Sequence, residues 1–261
     1  MSFVLTAENY YGTEANEHYW SASQIKSMMD CPARTIAEMR GEYVRPSNIA
    51  LLVGSYVDAH FEGTLDIFRA KHPEIFKKDG GLKSEYILAE KMIARAERDE
   101  VFMSYMDGEK QVIKTATIFG LPFKCKYDVY KSGERIVDLK TTKDFNPLYK
   151  EGQGRLSFAE FWNWPLQMAI YQAVEGNNLP CYLAALTKQD PPDIGVFQIP
   201  QYQLDAEMLT LKSNIEYYDA IKHGVIDAPR CEKCAYCRET KKLTGSISLD
   251  EFTETESEEE E

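Results

Sequence analysis

The chain has 261 residues, 44% of them apolar and 12% aromatic, enough to bury a substantial core as one domain or as one domain with a small appendage. No apolar run approaches the roughly 20 residues that cross a bilayer, and the opening MSFVLTAENYYG lacks a basic segment followed by an apolar one. Neither a spanning helix nor a signal peptide is therefore expected, and a cytoplasmic, reducing compartment is. The formal net charge of −12 sits mostly at one end: residues 250–261 hold eight acidic groups and no basic one, leaving 34 acidic against 30 basic groups upstream. A run of that kind repels itself and builds no core, so 244–261 is expected to be a disordered acidic tail. The remaining −4 excludes a strongly basic DNA-binding surface of the transcription-factor kind. It leaves room for a protein that holds nucleic acid through bound cations and a local basic channel.

Periodicity and breakers then divide the chain. Residues 1–18 read as an arm preceding a domain over 19–243. Helical spacing covers 23–39 (Ile25, Met28, Met29, Ile36, Met39), with Ser21 or Ser23 able to supply an N-cap oxygen. Further helices are expected over 50–62 and 83–100. From 109 to 142 the texture changes to alternation punctuated by turns at Gly120-Leu121-Pro122 and Ser132-Gly133, which predicts strands at 110–119, 123–131 and 135–140. A helix over 158–175, strands at 181–187 and 195–199, and a helix over 204–223 follow. The order of helices, three-strand meander, helix, two strands and helix predicts an α/β class, a mixed central sheet flanked by helices.

The strongest chemistry sits on the meander. In Ile136-Val137-Asp138-Leu139-Lys140, alternation places Asp138 and Lys140 on one strand face and turns Val137 and Leu139 to the packed one. The preceding strand carries Asp128, which a short hairpin brings beside Asp138. Two carboxylates converging with a lysine suit a divalent cation and a water to be activated, the needs of phosphodiester hydrolysis. Hard oxygen ligands favour Mg2+ or Mn2+. An ordinary amphipathic hairpin with a surface Asp and Lys is the bland alternative, but the run of Val, Ile and Leu around Asp138 implies a central strand, where an unpaired charge is costly. Elsewhere, Cys231-Glu-Lys-Cys234-Ala-Tyr-Cys237 is dense enough to read as metal ligation in a reducing compartment, whereas Cys125 and Cys181 fall in predicted strands as small core residues.

Asp128, Val137-Asp138-Leu139-Lys140-Thr-Thr and Gln167-Met-Ala-Ile-Tyr171 together resemble the nuclease core of the PD-(D/E)XK superfamily, in particular its RecB-like and lambda-exonuclease-like members, with a restriction-endonuclease-like fold. The resemblance implies a catalytic set of Asp128, Asp138, Lys140, Gln167 and Tyr171. The families' early G-x-x-x-H-x-x-x-E helix corresponds to Gly54-Ser-Tyr-Val-Asp58-Ala-His-Phe-Glu62, in which Asp58 takes the histidine's place as a metal ligand. His60 lies about 200° around the helix and cannot share that face. Glu109 resembles the extra acidic ligand of such cores, with Gln111 competing for the alignment. The segment around Cys31-Pro32 resembles the piece that carries the first cluster cysteine in iron-sulfur nucleases, which implies a [4Fe-4S] cluster on Cys31, Cys231, Cys234 and Cys237, with a four-thiolate zinc site as the alternative. From 19 to 243 the chain also resembles a group of phage-encoded exonucleases. That resemblance implies a magnesium-dependent, 5'-to-3' exonuclease acting at double-stranded DNA ends, assembled as a homo-oligomeric ring and passing the exposed strand to a single-strand annealing recombinase. Two alternatives remain open: a DNA-binding, repair-type or CRISPR-adaptation subunit built around the cysteines, and a site-specific endonuclease on the same core.

Overall fold

A computed structural model describes residues 3–46, 48–246, 248 and 249; residues 250–261, the bulk of the expected acidic tail, lie outside the described residues. The amino-terminal part contains α1 (Thr13–His18), α2 (Ala22–Asp30), α3 (Pro32–Met39), α4 (Ile49–Phe61), α5 (Leu65–Lys71), α6 (Ser84–Glu97) and α7 (Glu100–Tyr105). The meander follows as β1 (Glu109–Ile118), β2 (Leu121–Lys131) and β3 (Arg135–Thr142), then a small hairpin of β4 (Leu148–Lys150) and β5 (Gly154–Leu156). The chain continues through α8 (Phe158–Phe161), α9 (Trp164–Glu175), β6 (Cys181–Thr187), β7 (Ile194–Gln198), α10 (Gln201–Lys222) and α11 (Ala235–Glu239).

Five strands form one sheet in the order β1-β2-β3-β6-β7; β3 and β6 are parallel and every other neighbour pair is antiparallel. This is the mixed α/β sheet expected from the pattern. One face packs α2, α3, α9 and α10 around Phe123, Tyr127, Ile136 and Leu183. The other packs α4, α6 and α7 around Val129, Val137, Leu139 and Leu186. Among the described residues no helix is long and apolar enough to cross a membrane.

Local chemistry explains where the elements differ from the expected ones. The helix expected over 23–39 is two helices, because Cys31 precedes a proline and adopts an extended φ of −161°. Ser21 and Gln24 form a reciprocal capping box at the start of α2. The helix expected over 158–175 is likewise split, at Asn163, whose φ of 51° is left-handed. Residues 3–18 pack against the rest of the fold: Tyr10 and Ala15 are buried, and the buried Lys124 ammonium donates to the Tyr10 carbonyl and to Asn16 Oδ1.

Two glycines permit close approaches. A Cβ on Gly54 would lie 3.1 Å from Thr141 Oγ1, so the missing side chain lets α4 rest against β3. Gly108, at φ 152°, leads into β1 with space for no side chain: a Cβ there would lie 2.8 Å from the Tyr130 carbonyl oxygen and 2.9 Å from Val129 Cγ1. Gly108→Ala is expected to lower unfolding free energy in urea by about 1–3 kcal/mol or more. Gly152→Ala, also at positive φ (71°) but with nothing within 4 Å of its Cβ, should cost less.

Candidate active site and thiolate centre

The site forms where two paired strands part. The β2–β3 ladder runs Lys131↔Arg135, Tyr130↔Ile136 and Val129↔Val137. In continued register the next partners would be Asp128 and Asp138, and there the pairing stops. The Leu139 N–H that the ladder leaves free donates instead to Asp128 Oδ2 at 2.9 Å. On the β1 side the Gln111↔Asp128 pair is likewise missing between Lys110↔Val129 and Val112↔Tyr127. Gln111 sits at a left-handed φ of 55° with its Nε2 on Asp128 Oδ1 at 3.3 Å. A strained non-glycine residue inside a strand marks a position held by its surroundings.

On the α9 face of β3, Asp138 is 1% exposed and pairs with the Lys140 ammonium. Gln167 Nε2 donates to Asp138 Oδ1 at 2.9 Å and to the Tyr171 hydroxyl at 3.2 Å, and that hydroxyl donates to the Lys126 carbonyl at 3.1 Å. Gln167 Oε1 in turn accepts from Lys26 Nζ at 2.7 Å. With a cation on its oxygen, the amide can present only its nitrogen to Asp138. Gln167 and Tyr171 are both buried, and Gln167 ties the Tyr171 hydroxyl to the Asp138 carboxylate.

The cleft itself, a narrow one of about 10 Å3, is lined by Asp58 of α4, Glu62 at that helix's C-cap, Gln111 of β1, Asp128 of β2 and Leu139 of β3. Burial, reinforced by Asp138 and Glu62 against the opposing charge of Lys140, pushes the Asp58 carboxyl up to about 7. Burial and the neighbouring Asp138 hold Asp128 well above the usual carboxylate range. Burial works to lower the Lys140 ammonium, but Asp138 and Asp128 outweigh it and keep that group charged. Lys26 moves the other way, down to about 8, through burial and the charge of Lys140. Carboxyls crowded out of water in this way gain from a hard cation among them. Gln111 Oε1 is buried with no hydrogen-bond partner among the described residues, which leaves one more neutral oxygen for such an ion or its hydration shell. A Mg2+-class ion fits this donor set.

The structure thus gathers Asp58, Asp128, Asp138 and Lys140, with Gln167 and Tyr171 behind Asp138. It does not bring Glu109 in: that residue is exposed at the head of β1, paired with Tyr130, and Gln111 occupies the cleft position. His60 points away, hydrogen-bonded to Glu97 of α6 at 2.8 Å. Sequence reasoning left out Lys26, which has no motif and lies 141 positions from Gln167. It also kept Glu62 out of the ligand set, although that residue shares a helix face with Asp58.

The second centre joins Cys31, at the α2–α3 junction, to Cys231, Cys234 and Cys237. Their sulfurs all lie within 4.8 Å of one another, with Cys31–Cys237 at 3.5 Å and Cys231–Cys237 and Cys234–Cys31 each at 3.9 Å. The Cys234 N–H donates to Cys231 Sγ at 3.3 Å and the Cys237 N–H to Cys234 Sγ at 3.4 Å. Backbone donors of this kind favour the thiolate form that binds a metal.

This sheet, with an Asp at the parting of two strands and Asp-x-Lys on the next, defines a nuclease core of the PD-(D/E)XK class. Residues 21–240 match the family described as PDDEXK-like domain of unknown function (DUF3799), and the chain belongs to that family. A crystal structure of a "putative exonuclease" from Eubacterium rectale shares 38% identity, covers 97% of this chain and 99% of that one, and superposes with a TM-score of 0.93. A structure of SSO0001 aligns over 74% of this chain and 93% of its own at 13% identity and a TM-score of 0.27, too weak to bear on fold or function. No curated protein matches significantly.

Calorimetric titration with Mn2+ checks the ligand assignment. Asp58→Asn and Asp128→Asn should each weaken binding by about tenfold or more, and Gln111→Ala by a similar factor through its bond to Asp128. Glu109→Gln should bind as the parent does.

Proposed function

We propose that the protein is a Mg2+- or Mn2+-dependent exonuclease that hydrolyses phosphodiester bonds of one strand from the ends of linear double-stranded DNA. The observation that carries the hydrolytic reading is the proximity of Asp58 and Asp128, which line the cleft, to Asp138 and Lys140 on the next strand, close enough for their charges to act on one another. The description of the Eubacterium rectale relative supports an exonuclease over an endonuclease.

Asp58, Asp128 and Asp138 would hold the cation, which when bound lowers the pKa of a water and offsets charge developing on the phosphate. Lys140, held charged by Asp138 and Asp128, can orient a water against the phosphorus and steady the negative charge that forms there. Gln167 and Lys26 fix the Asp138 carboxylate in one rotamer, so that no reorganisation is needed when substrate arrives. Glu62 adds a further acceptor at the cleft wall.

A 5'-to-3' direction, assembly into a ring around DNA, hand-over to an annealing recombinase and action in the cytoplasm complete this reading. They rest on the resemblance to phage exonucleases, and a net charge of only −4 outside the acidic tail is compatible with a ring that retains DNA by enclosing it.

At the cysteines we propose a single tetrahedral ion of the zinc class in preference to a four-iron cluster. With Zn–S bonds of about 2.3 Å, four thiolates stand about 3.8 Å apart. Three of the six sulfur pairs, at 3.5, 3.9 and 3.9 Å, match that spacing, and all six lie within 4.8 Å. A cubane puts a separate iron behind each thiolate, with sulfides between, and so spreads them farther.

Purified protein with Mg2+ should degrade linear duplex DNA and spare covalently closed circles; rapid cutting of circles would refute the exonuclease reading. Asp138→Ala and Lys140→Ala should lose several orders of magnitude in rate while a thermal melt shows them folded. Elemental analysis should find about one zinc-class ion per chain, lost in Cys31→Ser together with stability. Four irons per chain with a brown colour would overturn the assignment.

A further inference from the structure

Beside the catalytic cleft runs a groove of about 730 Å3, lined among others by Tyr11, Lys26, Lys150, Trp162 and Trp164. Three contacts join it to the catalytic residues. Lys26 lines it and donates to Gln167 at 2.7 Å. The Trp164 ring lies under the Lys140 ammonium at 5.8 Å. Lys126, whose charge acts on Asp58 and Glu62, stands over the Tyr11 ring at 5.1 Å.

The lining includes large rings that stand in water: Tyr11 is 72% and Trp162 51% exposed. Trp162 stands at the break between α8 and α9, where left-handed Asn163 turns the chain and Phe161 supports the indole edge-on at 4.9 Å. The acidic groups of the groove, Asp30 and Glu38, are met by Arg34 and Arg45. Lys26 has one of its three N–H donors on the Gln167 amide, which leaves the other two for a phosphate.

Resting on the nuclease reading above, we propose that this groove seats the unpaired strand of the DNA substrate, with bases stacked on Trp162 and Tyr11 and phosphates along Lys26, Lys126 and Lys150. Exposed rings interleaved with cations are what a single strand requires, since every base offers a π-face and every linkage a charge. A duplex keeps its bases stacked on each other and offers nothing for the two rings. The contacts of Lys26 with Gln167 and of Trp164 with Lys140 then place one end of that strand next to the carboxylates. Substrate choice would lie in the rings, and chemistry in the sheet.

Fluorescence anisotropy with a labelled single-stranded oligodeoxythymidine, on the full chain without added divalent cation, tests this. The oligonucleotide should bind more tightly than a blunt duplex of equal length. Trp162→Ala and Tyr11→Ala should each weaken it about tenfold, a loss of one stacked base. Trp162→Phe should restore most of the affinity, and Lys150→Gln should flatten the salt dependence. Affinity within twofold of the parent in both ring variants would overturn the proposal, as would an equal loss for the blunt duplex. Hydrolysis with Mg2+ is read separately. A parent that binds oligonucleotide but never cleaves refutes the nuclease reading, whereas ring variants that cleave and bind as the parent does refute the groove alone.

Discussion

An aspartate that is 1% exposed in the middle of a sheet costs several kcal/mol to keep ionised unless its charge is met in place. Here the Lys140 ammonium meets one oxygen of Asp138 and the Gln167 amide the other, and Lys26 sets which end of that amide Asp138 sees. The arrangement uses groups from α2, β3 and α9, so these three elements have to be in place before the carboxylate can be buried and charged. Replacing the pair by apolar residues would cost the fold little, and removing one partner would cost it more stability without unfolding it. The sheet therefore carries a charge that packing alone would reject.

Beside that pair, the parting of β2 and β3 converts backbone chemistry into a site. An N–H that a continued ladder would have used goes to Asp128, and the resulting gap gives α4 room to present Asp58 and Glu62. The close seat of α4 at Gly54 and the twisted backbone at Gln111 are two sides of the same accommodation. Irregularity here is concentrated where the carboxyls converge, and the rest of the sheet is regular.

Much of this was legible in one dimension because its cause is local. Alternation through Ile136 to Lys140 shows which side chains share a face, and the three strands of the meander fall within a few residues of their expected limits. Asp58 and Glu62 follow from helical spacing. What sequence pattern missed depends on contacts between distant segments or on single backbone torsions. The helix breaks at Cys31 and Asn163 come from a proline neighbour and a left-handed residue inside otherwise periodic runs. Glu109 and Gln111 are indistinguishable as ligands until the φ of 55° at Gln111 shows which faces the cleft. Lys26 cannot be found at all without knowing that α2 lies along α9. The early cysteine needed a family likeness to be tied to the other three, since nothing in the spacing connects residues 206 apart.

That last link sets an order of events during synthesis. The helices α2 and α3, which carry Lys26 and Cys31, leave the ribosome early, but the partners of Cys31 emerge only with Cys231, Cys234 and Cys237 near the end of the domain. Until then Cys31 lacks the three cysteines it meets in the finished fold. A half-made copy therefore lacks the sulfur juxtaposition that ties the two ends of the domain together.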